Sequence, residues 1–215
     1  MRPIVTAALV TVVVLSLAAG QIPAMAHASV TGEAAAKTAA VAAPAEPEGF
    51  WNGPVNDPVP HTIKGGKVIH AKALAALLKD KNAVVVDVSN APRRPQNLPA
   101  ATTWLPLPHR AIPGAIWIPG AGLGQPPPAL DKYFRERLAK ATRNDMGRPL
   151  VVYCHQRCWL SWNGAKRALQ YGYRNVYWFP DGIEGWRKAK LPTAVVQPEA
   201  TPMSATPRFP AADPS

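Results

Sequence analysis

Leu150-Val151-Val152-Tyr153-Cys154-His155-Gln156-Arg157-Cys158-Trp159 is the stretch from which the fold can be read. Leu150–Tyr153 is a short apolar run of the kind that forms a strand, and a polar segment with a cysteine at either end follows it. Ser161–Tyr171 then reads as a helix, and Gly172 stands where a helix C-terminal stop belongs. The chain has two cysteines in 215 residues, and both occupy this handover from strand to helix. Thiols used so sparingly, at such a junction, point to chemistry.

Working outward, the pattern alternates. Val68-Ile69-His70 suits a short strand, and Ala71–Lys79 a helix with Leu74, Leu77 and Leu78 at helical spacing. Ala83–Val88 (AVVVDV) is a continuous β-branched run, as expected of a strand buried on both faces of a parallel sheet. Residues 89–111 are dense in proline and read as a long loop. Ile116-Trp117-Ile118 is a brief strand, and Leu130–Thr142 an amphipathic helix on whose apolar stripe Arg137 needs a buried stem and a head in water. Val176–Phe179 and Ile183–Lys188 add a strand and a last short helix. Such alternation predicts a single α/β domain, a parallel sheet with crossover helices on both sides. Ligands bind beyond the carboxyl ends of the strands in these sheets, which is where Cys154 falls.

The ends of the chain differ from its middle. Arg2, the apolar run Ile4–Ala19 and the small-residue exit Ala24-Met25-Ala26 predict a secretory signal peptide over 1–26, hence a periplasmic or secreted protein with no stable membrane insertion after cleavage. Thiols in that setting oxidise and disulfides persist. Residues 27–48 and 198–215 are Ala- and Pro-rich and are expected to be disordered, leaving 49–197 as the domain. The formal charge of +11 has its excess in the second half, where residues 131–190 carry 13 Lys/Arg against 5 Asp/Glu. That balance favours an anionic partner, an acidic protein face, anionic lipid or a small oxyanion. No nucleic-acid motif accompanies it, so nucleic acid is excluded.

A cysteine at a strand's carboxyl end meets inward-turned backbone N–H groups and the positive end of the next helix, which stabilise an anion on its sulfur. The same field lowers the thiol pKa. Arg157, and His155 when protonated, add positive charge to the loop.

Several stretches resemble a rhodanese-type sulfurtransferase domain over about residues 65–193. They are Asp87 closing AVVVDV, Ile112-Pro113-Gly114-Ala115 before a short strand, Leu150–Cys154 entering loop and helix, Gly172-Tyr173-Arg174-Asn175-Val176-Tyr177, Asp181-Gly182-Ile183-Glu184-Gly185-Trp186, and Leu191-Pro192. The resemblance is closer still to a smaller branch, the pyrroloquinoline-quinone-dependent catabolism-associated CXXCW motif proteins. It rests there on Arg94–Pro99, Ile112–Trp117, Tyr153-Cys154 with Cys158–Asn163, Ala165-Lys166-Arg167 and Trp178–Gly182. Two departures stand out: the spacing here is Cys-x-x-x-Cys-Trp, one residue longer than that family's written motif, and Leu160 stands where ordinary rhodaneses often carry an arginine.

The resemblance implies a rhodanese-like fold with Cys154 as nucleophile, supported by a loop of His155, Gln156, Arg157, Trp159 and Ser161. Cys158 could resolve what forms on Cys154, pair with it as a structural disulfide or join it in a metal site; the redox or resolving role is favoured because so short a bridge restricts the unfolded chain little. Asp87 is expected to hold the loops at the sheet's end by hydrogen bonds. Trp159 and Trp162, three apart at the start of a helix, are expected to include one core anchor, the alternative being that Trp159 caps the cysteine pocket or faces a partner. Two readings of the function follow. In one, Cys154 takes sulfur from a small sulfur-containing anion as a persulfide and passes it to a thiol or cyanide acceptor. In the other, Cys154 and Cys158 cycle between dithiol and disulfide, or handle copper(I) with His61, His70, His109 or His155, in an accessory protein for a periplasmic quinoprotein dehydrogenase or cytochrome. Neither a metal nor a cofactor is assigned: the closed four-ligand spacing of structural zinc is missing, and no residue pattern argues for a quinone site.

Overall fold

The structure, a computed structural model, describes residues 43–80 and 82–202. The expected signal peptide and residues 203–215 lie outside the described residues. Among the described residues no helix is long and apolar enough to cross a membrane.

The two β-branched and apolar runs form neighbouring strands, β2 (Val84–Asp87) and β5 (Leu150–Tyr153). With β1 (Lys67–Val68), β4 (Ile116–Trp117) and β6 (Val176–Phe179) they make a five-stranded sheet in the order β1-β6-β5-β2-β4, every pairing parallel. The helices are α1 (Ala71–Lys79), α2 (Pro128–Thr142), α3 (Trp159–Gln170) and α4 (Gly182–Lys188). A strand's side chains alternate between faces, so each central strand serves two cores. Val86, Val152 and Trp178 lie in register on one face with Phe134 and Leu138 of α2 and Trp162 and Ala165 of α3. Val85, Val151, Tyr153 and Phe179 face the other way, onto Leu74 of α1 and Ile183 and Trp186 of α4. Full burial of such side chains is worth roughly 1.5–3 kcal/mol apiece, which is why the sheet's middle holds no charged residue before Asp87. Cys154 continues the alternation of β5 and falls on the α2/α3 face.

The helices end and begin for local reasons. After α3, Gly172 adopts φ 100°, with its N–H on Leu169 O and that of Tyr173 on Ala168 O, the paired bonds of a Schellman stop. Helix α2 starts two residues before the apolar stripe, at Pro128, because proline's fixed φ suits a first turn where its missing N–H is not needed. Helix α3 likewise starts earlier than the expected Ser161, directly after Cys158.

Other expectations needed correcting. The proline-dense loop 89–111 ends in β3 (Arg110–Ala111), which pairs antiparallel with β7 (Ala194–Val195), a contact between segments too short to show any periodicity. Arg137 does not send its head into water. It binds Glu199 at 2.6 Å, and Glu199 also accepts from Tyr133 and donates its own N–H to Trp117 O. Packed chain therefore runs past Gln197, and Thr201 is buried.

Candidate functional site

Cys154 and Cys158 are joined in a disulfide, with 6.4 Å between their Cα atoms. Both are buried, at 1% and 4% exposure, in the core cluster on the α2/α3 face. The turn that closes between them places Arg157 at φ 53°, a left-handed conformation uncommon for a residue with a side chain. Cys158 occupies the residue before the first turn of α3.

Helix α4 seats this turn from outside. The Ile183 N–H donates to Cys154 O at 3.0 Å. Gly182, at φ 60°, lies so close that a Cβ there would stand 2.3 Å from the carbonyl carbon of His155, so the contact requires glycine. Glu184 then reaches across the loop: its carboxylate accepts the Gln156 N–H at 2.8 Å and the His155 ring N–H (Nδ1) at 2.8 Å. Burial on its own raises the Glu184 carboxyl, yet the bonds from His155 and Gln156 outweigh it and hold the group below the usual carboxylate range. His155 itself remains exposed, and so does Arg157.

The other side of the loop is covered by the segment before the domain's first strand. Asn163 of α3 clasps Trp51, accepting its N–H and donating to its carbonyl, both at 2.9 Å. Lys166 donates to the carbonyls of Pro47, Glu48 and Gly49. Trp51 stacks on Trp159 at 4.4 Å between ring centres, and Val55 O accepts the Trp159 N–H at 2.9 Å. A cavity of about 190 Å³ remains between this segment, Leu123–Gln125 and the start of α3.

The supporting residues thus divide. His155, Gln156 and Arg157 lie in the loop as expected. Trp159 does not face a partner: it is 1% exposed, sandwiched against Trp51 and edge-on to Trp162, and its Nε1 has no hydrogen-bond partner. Ser161 lies inside α3 and fully buried, donating to Cys158 O at 2.9 Å and accepting from Trp178 Nε1 at 3.0 Å. The backbone N–H groups expected to face the sulfur include two that are engaged elsewhere, Gln156 by Glu184 and Trp159 by Val55.

Asp87 ends β2, beside the cysteine loop. Its buried carboxylate accepts from Ser89 N (2.9 Å), Ser89 Oγ (2.6 Å) and His109 Nε2 (2.8 Å). The His109 ring stacks on Trp117 at 3.8 Å. The Tyr153 hydroxyl, on the neighbouring strand, accepts the Ile112 N–H at 3.0 Å, and burial, with the charge of Asp87 second, pushes its phenol far above the usual range. Asp87 points to the α1/α4 face with Tyr153, its neighbour in register, whereas Cys154 points to the other. The histidines weighed as copper ligands are dispersed, His70 on Asp181, His109 on Asp87 and His155 on Glu184.

Two groups escaped the sequence reading. Glu184 was seen as one residue of the Asp181–Trp186 stretch, with no spacing that ties it to residues 155 and 156, and Trp51 stands more than a hundred residues from the ring it covers. His109, weighed from the sequence only as one of four histidines that could join a copper site, is bound to Asp87.

The fold and loop define a parallel α/β domain with a cysteine pair where its central strand ends. A family model, the Rhodanese-like domain, matches residues 70–189. That is more than half of the chain, which therefore belongs to the rhodanese-like family. No curated protein matches the chain. Among solved structures, a thiosulfate sulfurtransferase from Pseudomonas aeruginosa aligns at 24% identity and TM-score 0.43, over 62% of this chain and 21% of its own. The chain thus spans about a fifth of that protein's length. The polysulfide-sulfur transferase homodimer of Wolinella succinogenes aligns at 19% identity and TM-score 0.38, over 60% and 79%. Human single-domain sulfurtransferase TSTD1 aligns at 22% and 0.34, over 56% and 95%.

Proposed function

We propose that this is an exported sulfur-exchange protein in which Cys154 is the nucleophile and Cys158 resolves what forms on it. The observation that carries the reading is the Cys154–Cys158 disulfide at the carboxyl end of the central strand of a rhodanese-like sheet. In the dithiol state, the Cys154 thiolate attacks the sulfane sulfur of a donor; the donor's S–S bond breaks, and sulfite or a thiolate leaves with the electron pair. The persulfide passes its outer sulfur to an acceptor thiol, or the Cys158 thiolate attacks Cys154 Sγ, expels hydrosulfide and closes the disulfide. A small or protein dithiol then restores the reduced pair by exchange.

Export is supported by Arg2, Ile4–Ala19 and Ala24-Met25-Ala26. The resemblance to the CXXCW branch, with the lengthened Cys-x-x-x-Cys-Trp, supports service to a periplasmic quinoprotein dehydrogenase or cytochrome. The test is intact mass. Reduced Cys158→Ser treated with thiosulfate or an organic persulfide gains one sulfur, about 32 Da, at Cys154. The wild type under the same treatment releases sulfide and returns to the disulfide, and Cys154→Ser does neither.

A second reading is favoured by the two N–H groups engaged away from the sulfur. There the pair exchanges only between dithiol and disulfide, and mixed disulfides replace sulfur transfer. A defined reduction potential with no sulfur adduct from any donor selects it.

A further inference from the structure

We propose that Glu184 sets the charge preference of the cysteine pair, turning it away from oxyanionic sulfur compounds and toward uncharged ones, the disulfide and trisulfide bonds of organic molecules and proteins. The proposal rests on the reading of Cys154 as nucleophile and adds the class of substrate it meets.

An oxyanion approaching the loop needs hydrogen-bond donors, and Glu184 has taken two of them. Its Oε2 holds the Gln156 N–H and its Oε1 the His155 ring, both at 2.8 Å. Gln156 sits midway between the two cysteines, so the carboxylate lies over the turn that a partner must approach. Nor is Glu184 a loose surface acid. Gly182 packed on His155 and the Ile183 N–H on Cys154 O fix the turn from which it projects, and its bonds keep the carboxyl ionised at neutral pH. Arg157 is the loop's permanent cation and is exposed. With Glu184 present its charge is offset; with Glu184 neutral it acts alone on an incoming anion.

The chemistry differs accordingly. Thiosulfate brings a sulfonate charge that must leave as sulfite past the same carboxylate. A neutral disulfide brings none: Cys154 attacks one sulfur, the S–S bond breaks, and the partner's thiolate departs with the electron pair, leaving a mixed disulfide. One unit charge at the rim of a half-exposed site changes the rate for an anion by about tenfold, after screening by water.

The test separates this charge effect from sulfur transfer. In reduced Cys158→Ser, Cys154 is alkylated by iodoacetamide or by iodoacetate, reagents of similar size that differ in charge. Adding Glu184→Gln, which keeps the shape and still accepts the Gln156 N–H, is expected to raise the iodoacetate rate relative to iodoacetamide by about tenfold. Glu184→Asp retains the charge and keeps the wild-type ratio within about threefold. Thiosulfate uptake by the Glu184→Gln form rises in parallel. An unchanged iodoacetate to iodoacetamide ratio, even if both rates fall together, overturns the proposal and leaves Glu184 as a brace for the loop. A shifted ratio without sulfur uptake from any donor sustains the charge preference and removes sulfur transfer instead. Failure of both reagents to react with folded Cys154 removes the nucleophile and the proposal with it.

Discussion

Strands β2 and β5 run side by side with Asp87 opposite Tyr153, and one residue further on they close in different ways. The end of β2 is tied by hydrogen bonds: one buried carboxylate takes Ser89 twice and His109 once. The end of β5 is tied by a disulfide, a bond whose making and breaking needs an electron pair from outside the fold. A buried carboxylate whose acceptors are filled has no reason to open, since each donor left unpaired costs about 1–3 kcal/mol. The disulfide spans four residues, so it restricts the unfolded chain little, and the domain is expected to survive its loss. One strand end is architecture, and the next carries the proposed chemistry.

The sharpest way to break that contrast is Asp87→Ala. It leaves Ser89 and His109 without their acceptor and should cost about 3 kcal/mol, read from the guanidinium midpoint. Conditions that keep the variant folded should leave Cys154 alkylation within about twofold of the parent, since the two side chains face opposite sides of the sheet. Loss of Cys154 reactivity in a folded Asp87→Ala protein would move Asp87 into the chemistry and end the distinction.

Reduction of the disulfide comes next. Loop entropy for so short a bridge amounts to about 2 kcal/mol, so the reduced protein should melt a few degrees lower yet cooperatively. Collapse of the transition on reduction would make the bond structural.

Asn163→Ala probes the cover over the cysteine turn. It removes the two bonds to Trp51 and one to Gly122 O and should cost about 1–2 kcal/mol. Limited proteolysis should then cut within residues 46–59 faster than in the wild type, with the rest of the domain intact. Uniform digestion would show that this segment is not a separate unit.

The smallest effect is on pH. Glu184's folded pKa lies below its unfolded value of about 4.3, so the stability it supplies is present above that value and is lost as pH falls through the folded pKa. Because the side chain is 45% exposed, the loss should stay below about 1 kcal/mol. Urea midpoints between pH 6 and 3 should fall slightly less in Glu184→Gln than in the wild type, and an equal fall would show that the His155 contact is too solvated to matter.

How legible the molecule was depended on the kind of signal. Ala71–Lys79 and Val176–Phe179 are found where the sequence puts them, because burying one helical stripe or both strand faces leaves a periodic record in one stretch of chain. β3 and β7 left none, since two residues cannot show a period and their partner is more than eighty positions away. Trp159 and Leu160 belong to a helix whose start was judged from Ser161 onward, because Cys158 already ends the turn.

By itself the sequence determined the parallel α/β architecture, the strand that carries the cysteines, and the position of Cys154 at its carboxyl end. These follow from short-range patterns of apolar and turn residues, which act within a few positions of one another. Only the tertiary structure decided that Cys154 and Cys158 meet in a disulfide, that Trp159 lies under Trp51, that His109 serves Asp87 and that Glu184 holds the loop. Each of these depends on where a side chain points in three dimensions. In the last three the partners are 108, 22 and 29 residues apart, and no local pattern encodes which of many acids, rings or carbonyls packing will bring within reach.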